Sequence, residues 1–273
     1  MSVLADCHLH SSFSGDSEAP MEEMIQKAIS LGMREMCFTE HMDFDFIYTP
    51  EEPEGFYEVN TDAYLYDLLK YREKYREQIK ILFGIELGMQ TTVTRKNLLY
   101  VKNYDFDFVI ASSHLCNGKD PYLKETFFEG RPEAEAYHEY FQYIYECIRS
   151  FQNFDVYGHL DYVLRYGPTK NENFRFEEYR TDIDRILKLL IENGKGIEAN
   201  TSGYAYGMGG PHPCRDILAR YKELGGEILT IGSDAHRPGM IGSHFEDTAE
   251  MLKEIGFEYY CVFENRMPEY HKL

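Results

Sequence analysis

The chain has no tryptophan, no CxxC cysteine pair, and no apolar run long enough to cross a bilayer. A membrane helix needs about 18–20 consecutive apolar residues, and no N-terminal apolar run resembles an export signal. Six cysteines without a spacing pattern, in a chain without such a signal, read as reduced thiols. The expectation is therefore a cytoplasmic protein with no membrane partner. Basic residues are also scarce: 28 Lys and Arg stand against 47 Asp and Glu, for a formal net charge of -19. With no Lys/Arg cluster, such a chain repels a phosphate backbone, so no nucleic-acid partner is expected. Carboxylates that hold divalent cations would cancel part of that charge. No linker, low-complexity tract or internal repeat divides the sequence, and residues 1–273 read as a single domain. Its hydrophobic share, 43%, can fill one large core.

What is present is a cadence. Short β-rich runs fall at residues 3–7, 35–38, 81–85, 108–111, 155–157, 196–199 and 228–231, and amphipathic helical patterns fill most of the gaps. Residues 21–31 carry Met24, Ile25, Ala28 and Leu31 before Gly32 as a stop. Thr61 is placed to cap a helix bearing Leu65, Leu68, Leu69 and Tyr75. Residues 133–151 form a tyrosine-rich helix. Ile183, Ile186, Leu187, Leu190 and Ile191 make one stripe, and Ile217, Leu218, Tyr221 and Leu224 the next. Alternating strand and helix argue for a parallel sheet wrapped by helices, and seven units point to an irregular α/β barrel, with a doubly wound open sheet as the alternative. Residues 44–60, 165–174 and 203–213 read as long loops at strand ends, where barrels carry their binding surfaces.

Nearly every predicted strand ends in a metal-ligand residue. The first ends in His8-Leu9-His10, whose two imidazoles share a side because strand side chains repeat every second residue. The others give Glu40 and His41, Glu86, His114, His159 with Asp161, and Asp234 with His236. One strand-end histidine means little. This many imidazoles and carboxylates at one end of a barrel would repel and desolvate each other severely without cations. The remaining histidines take structural readings: His138 in a helix, His271 in the C-terminal tail, His244 in a loop and His212 in a turn. Cys7 turns away from His8 by strand alternation.

In this order, HxH, TEH, GIE, SSH, GH and SDAH resemble the motifs of the PHP (polymerase and histidinol phosphatase) family from Ala5 to His236. The segments GIELG, GHLDYVLRYG, IEANTSG and TIGSDAH are most similar to its monofunctional histidinol-phosphate phosphatases. The resemblance implies a distorted (β/α)7 TIM-like barrel and a phosphomonoester hydrolase acting on a small molecule, most specifically histidinol phosphate in histidine biosynthesis. A nucleotide phosphatase or 5′→3′ exonuclease, or a non-catalytic metal-stabilised scaffold, are the alternatives. It also implies two to three divalent ions. His8, His10, Glu86 and Asp234 would hold the first. Glu86 would bridge to a second, held also by His114 and His159. Asp16, His41 and His236 would hold the third. Many members have His where this chain has Asp16, an oxygen in place of a nitrogen; mixed N/O ligation suits Zn, Mn or Fe(II). Glu86, Asp161, Asp234 and His236 are the expected catalytic residues, with Asp161 either orienting a ligand or giving a proton to the leaving oxygen. Arg165 and Arg237 are the candidates to grip phosphate. Glu40, Asp43, Asp45, Phe13 and Tyr204 are the candidates to meet the rest of the substrate.

Overall fold

The computed structural model describes residues 3–50 and 52–273; residue 51, inside the predicted 44–60 loop, and residues 1–2 of the single-domain assignment lie outside them. The elements run β1 (Ala5–Leu9), α1 (Met21–Ser30), β2 (Glu35–Met42), α2 (Thr61–Tyr75), β3 (Lys80–Gly88), α3 (Thr94–Asn103), β4 (Phe108–Ser112) and α4 (Lys124–Phe127). They continue as α5 (Glu133–Ser150), β5 (Val156–Tyr157), α6 (Phe176–Glu192), β6 (Gly196–Asn200), α7 (Ser202–Ala205), α8 (Arg215–Glu223), β7 (Leu229–Gly232), α9 (Phe245–Ile255), β8 (Tyr259–Glu264) and β9 (Met267–Lys272). Strands β1 to β7 form one seven-stranded sheet in sequence order, every neighbouring pair parallel. Seven parallel strands in a nearly closed barrel, alternating with helices, are the architecture that the cadence predicts.

Apart from Glu35 and Lys80 at the starts of β2 and β3, the barrel strands are buried throughout because helices cover the outside and side chains fill the inside. On α2 the buried face carries Tyr64, Leu68 and Tyr75, while Leu69 is half exposed, and Asn60 supplies the cap by accepting the Ala63 N–H. The cap lies one residue before Thr61 because the amide oxygen of Asn60 reaches the third residue on. The tyrosine bias also has a physical use. Tyr64 donates its hydroxyl to the Phe38 and Gly84 carbonyls, Tyr140 to Ser113, and Tyr221 to Ile228. These rings fill the helix–barrel layer and satisfy buried acceptors at the same time.

Two parts of the fold give no sequence signal strong enough to read. Helices α3 and α9 cover the barrel. The antiparallel β8–β9 hairpin closes the end opposite the strand C termini. His271 therefore lies in a strand and not in a loose tail. Asn265 and Arg266 both have positive φ at the hairpin turn, and Arg is an unusual residue there. It stays because Arg266 Nε donates to Asp155 Oδ2 at 2.6 Å and its backbone N–H to the Asp107 carbonyl.

The barrel closes between β1 and β7 through few contacts. Leu9 bridges Ala235, and Asp234 N donates to the His8 carbonyl. Asp6, fully buried, accepts from Ser233 N (2.9 Å), Ser233 Oγ (2.5 Å) and Gly242 N (3.2 Å). Burial pushes its carboxyl up to about 6, against the pull of these donors. Asp6→Ala strands these donors in the interior and should destabilise the fold by about 2–4 kcal/mol in a denaturant titration. A midpoint equal to wild type would mean that the seam does not depend on Asp6.

Candidate metal centre

Strand C termini and the loops that follow them bring the predicted metal-ligand side chains into one cluster. His8 and His10 flank the end of β1, His41 lies on β2, Glu86 on β3, and His114 and His159 follow β4 and β5. Asp234 and His236 follow β7, and Asp16 comes from the loop after β1. Asp234 adopts a left-handed backbone, φ 54°, a strained state for a non-glycine residue and one found at sites where a side chain must be aimed. Small residues make room: a Cβ at Gly232 would collide with His8 and Glu198, and one at Gly88 with Asp43.

The donor atoms are closely grouped. His8 Nε2 lies 3.1 Å from His10 Nε2 and 3.3 Å from Glu86 Oε2, and His10 Nε2 lies 3.4 Å from Asp234 Oδ1. Donors sharing one tetrahedral ion at about 2.0–2.2 Å stand roughly 3.3–3.6 Å apart. The other Glu86 oxygen, Oε1, is 2.8 Å from His159 Nε2 and 3.3 Å from His114 Nε2. Asp16 Oδ2 is 3.1 Å from His236 Nε2 and 3.5 Å from His41 Nε2. These groups overlap. His10 also stacks between His41 and His236, at ring-centroid distances of 4.3 and 4.2 Å, and His41 Nδ1 is 3.1 Å from Glu86 Oε2. Glu86 Oε2, His41 Nδ1 and His236 Nε2 are buried with no hydrogen-bond partner, as expected of donors built for cations.

Electrostatics point the same way. Burial would raise the Glu86 carboxyl, but His8, His114 and His41 hold it well below the usual carboxylate range. Burial and the neighbouring His236 and His41 push His10 down to about 3, so it presents a free lone pair. On His8 and His114 the far ring nitrogen is fixed by a carboxylate. His8 Nδ1 donates to Glu198 Oε1 at 2.6 Å, and His114 Nδ1 to Asp43 Oδ1 at 2.7 Å. Each such bond aims Nε2 inward; burial lowers the basicity of both rings, but Glu198 and Glu86 raise His8 and Asp43 and Glu86 raise His114, so an ion bound there would displace the Nε2 proton.

The PHP domain family model matches residues 6–202. The chain belongs to the PHP family. Histidinol-phosphatase of Lactococcus lactis is 31% identical over 94% of this chain and 93% of its own length. A probable histidinol-phosphatase of Clostridium acetobutylicum is 32% identical over 98% of this chain and 100% of its own length. A crystal structure of the L. lactis histidinol phosphate phosphatase, complexed with zinc, L-histidinol and phosphate, superposes with a TM-score of 0.88. The two share 30% sequence identity, and the match covers 97% of this chain and 98% of that one.

The cavity of this PHP barrel, about 370 Å³, is lined by Asp16, His41, Asp43, Glu86, His114, His159, Arg165, Asp234 and His236 among others. Arg165 is buried, its guanidinium held between the rings of Tyr162 (4.5 Å) and Tyr206 (4.2 Å). Six expected catalytic or substrate-binding residues do not line the cavity. Asp161 does not line the cavity. It follows His159 in a helical turn and not an extended strand, so it turns inward, accepting from Cys214 N and pairing with His212 Nδ1 at 2.5 Å. Glu40 is also away from the cavity, because strand alternation sends it to the face opposite His41. There it accepts from Ser11 and Ser14, and Ser14 Oγ in turn meets His10 Nδ1 at 3.2 Å. Arg237 is exposed at the start of a 3-10 turn and does not line the cavity. Asp45 pairs with Lys96, Tyr204 stacks on His244, and Phe13 packs on Tyr64, so of the substrate candidates other than Arg165 only Asp43 reaches the cavity.

Glu198 is the residue that strand-end reasoning missed. It sits inside β6, not at its end, and its carboxylate receives His8 Nδ1, His159 N (3.0 Å) and Asn200 Nδ2 (3.1 Å). Glu198→Gln exchanges a charged acceptor for an amide that can donate in the wrong direction. It should weaken zinc binding about 10- to 100-fold in a chelator competition while the fold persists. Unchanged zinc affinity would show that His8 is aimed without it.

Proposed function

We propose that the chain is a metal-dependent phosphatase that hydrolyses L-histidinol phosphate to L-histidinol and phosphate, one step of histidine biosynthesis. The observation that carries this reading is a single cavity in which Glu86 offers its two oxygens to two histidine sets beside a buried, aromatic-braced arginine. It is supported by near-full-length similarity to an L. lactis enzyme whose structure holds zinc, L-histidinol and phosphate. When bound, divalent ions neutralise phosphoryl oxygens and lower the pKa of a coordinated water. His8, His10, Glu86 and Asp234 would hold one ion, His114 and His159 with Glu86 a second, and Asp16, His41 and His236 a third. Zn, Mn and Fe all suit such mixed donors.

The chain's own residues then set the phosphate in place. Arg165 Nη2 lies 3.4 Å from Ser202 Oγ and 4.0 Å from Asp234 Oδ2, and its Nε has no partner. Two tyrosine faces fix the plane of the fork, so it can grip phosphate oxygens without losing rotamer freedom on binding. Asp43 holds the His114 ring, and Glu40 acts through Ser14 on His10. Both are positioning residues in this reading, and Arg237 and Asp161 have no contact with substrate. The same reading treats residues 1–273 as one domain. It places the protein in the cytoplasm, in keeping with six unpaired cysteines; no helix among the described residues is long and apolar enough to cross a membrane. A polymeric nucleic acid is a poor substrate for a chain of net charge -19.

The direct test is phosphate release from L-histidinol phosphate by zinc-loaded protein, abolished by chelation and restored by zinc. Arg165→Ala should leave metal content unchanged and lower kcat/KM by roughly 30- to 1000-fold, the loss of a charge-assisted bidentate contact. Arg165→Lys should recover only part of it. Wild-type kinetics in Arg165→Ala would move the phosphate grip elsewhere.

A further inference from the structure

The cradle of Arg165 is built from two segments that are distant in the chain. Arg165 ends the 3-10 turn Tyr162–Arg165 after β5, and Tyr162 in the same turn covers one side of its guanidinium. The rest comes from the segment after β6, where Tyr206 supplies the second ring and Ser202 Oγ accepts from Arg165 Nη2. Ser202 Oγ also donates to Asp234 Oδ2 at 3.2 Å. The fork is therefore placed only as well as these two segments are placed against each other.

The segment after β6 departs at Thr201 and returns at His212. Its ends are joined, because Asn200 and His212 exchange both backbone hydrogen bonds, at 2.7 and 2.8 Å. Asn200 Oδ1 accepts the Ser202 N–H, and a Cβ at Gly203 would collide with the Gly210 carbonyl and press on the His212 ring. His212 is then tied to the other segment. Its Nδ1 pairs with Asp161 Oδ1 at 2.5 Å, and Asp161 Oδ2 accepts the Cys214 N–H at 2.8 Å. Asp161 stands directly before the turn that ends in Arg165, and its carbonyl accepts the Leu164 N–H within that turn. Both side chains of the pair are 1% exposed, and neither lines the catalytic cavity. Lys170 and Asn171 also reach across, to the carbonyls of Tyr206 and Met208, but nearer the surface. A buried polar pair carries a desolvation cost that packed apolar side chains avoid; what it adds is direction.

We propose that the Asp161–His212 pair is a brace that holds the two halves of the Arg165 cradle in register, so that His212 governs how the fork meets phosphate without touching substrate. This rests on the phosphatase reading, in which Arg165 grips the phosphoryl group, and deepens it. Asp161 and His212 are positioning residues that act through Arg165.

The experiment uses zinc-loaded wild type, His212→Leu, His212→Gln and His212→Asn, each also combined with Arg165→Ala. Leu removes the bond to Asp161, Gln carries its donor too far out, and Asn keeps an N–H where Nδ1 stood. His212→Leu and His212→Gln should lower kcat/KM about 10- to 100-fold on L-histidinol phosphate and 4-nitrophenyl phosphate alike, because the fork meets the group that both share. The dissociation constant of inorganic phosphate, read by calorimetry, should rise in step, at unchanged zinc content. His212→Asn should recover part of both losses. In the Arg165→Ala background the same substitutions should change kcat/KM by less than about threefold, as for two residues that act through one contact. Losses that add fully to that of Arg165→Ala, wild-type kinetics in the Leu and Gln variants, or a loss of zinc would overturn the brace. If His212→Leu does not fold, His212→Gln and His212→Asn carry the same comparison. A zinc-loaded wild type that releases phosphate from neither substrate would overturn the phosphatase reading itself, and the brace with it.

Discussion

Glu86, fully buried, presents one carboxylate oxygen to His8, His10 and His41 and the other to His114 and His159, and most of the site's architecture follows from that. One carboxylate cannot balance His8, His10, His114, His159 and His41 through its own charge, and as many buried imidazoles cannot all be protonated beside one another. Divalent ions resolve the conflict. They supply a charge that carboxylates and neutral imidazoles can share, and they replace solvation lost on burial. The orphaned nitrogens and oxygens around Glu86, and the suppressed basicity of His10 between two stacked rings, are the signs of a site built around charges of that kind.

The barrel makes this possible because parallel strands all end on one side. Seven C termini meet there, each able to contribute a ligand from a loop that does not have to pack. The structure keeps the layer beneath rigid. Asp6 fastens the seam between β1 and β7 two residues before His8, and Glu198 fastens His8 and the His159 backbone from within β6. At the other end, the β8–β9 hairpin locks onto Asp107 and Asp155. The candidate metal ligands therefore sit on elements held from below, while Tyr57, Asp120, Tyr162 and Tyr206 come from connecting segments that shape the mouth.

The sequence carries the ligands legibly because metal donors are rare residue types, and a strand end in a parallel barrel has one possible face toward the site. The same logic fails wherever position depends on a partner far away in the chain. Asp161 follows His159 by two residues, which suggests a shared face, yet a helical turn sends it to His212, 51 residues on. Glu40 precedes His41 in a motif, but alternation along β2 turns it to Ser11 and Ser14; that much was available from period two alone. Glu198 is hidden by lying inside a strand whose interior is otherwise apolar. The hairpin is obscured by an Asn-Arg turn whose arginine serves Asp155 more than the turn.

All of this rests on Glu86 bridging two cations in the folded chain. Anomalous diffraction at the zinc edge, from crystals of zinc-loaded protein, measures that directly. The account predicts two peaks on either side of the Glu86 carboxylate, one among His8, His10 and Asp234 and one between His114 and His159, each about 2.0–2.2 Å from a Glu86 oxygen. A third peak belongs among Asp16, His41 and His236. Zinc bound elsewhere, with Glu86 instead hydrogen-bonded to protonated histidines, would contradict it.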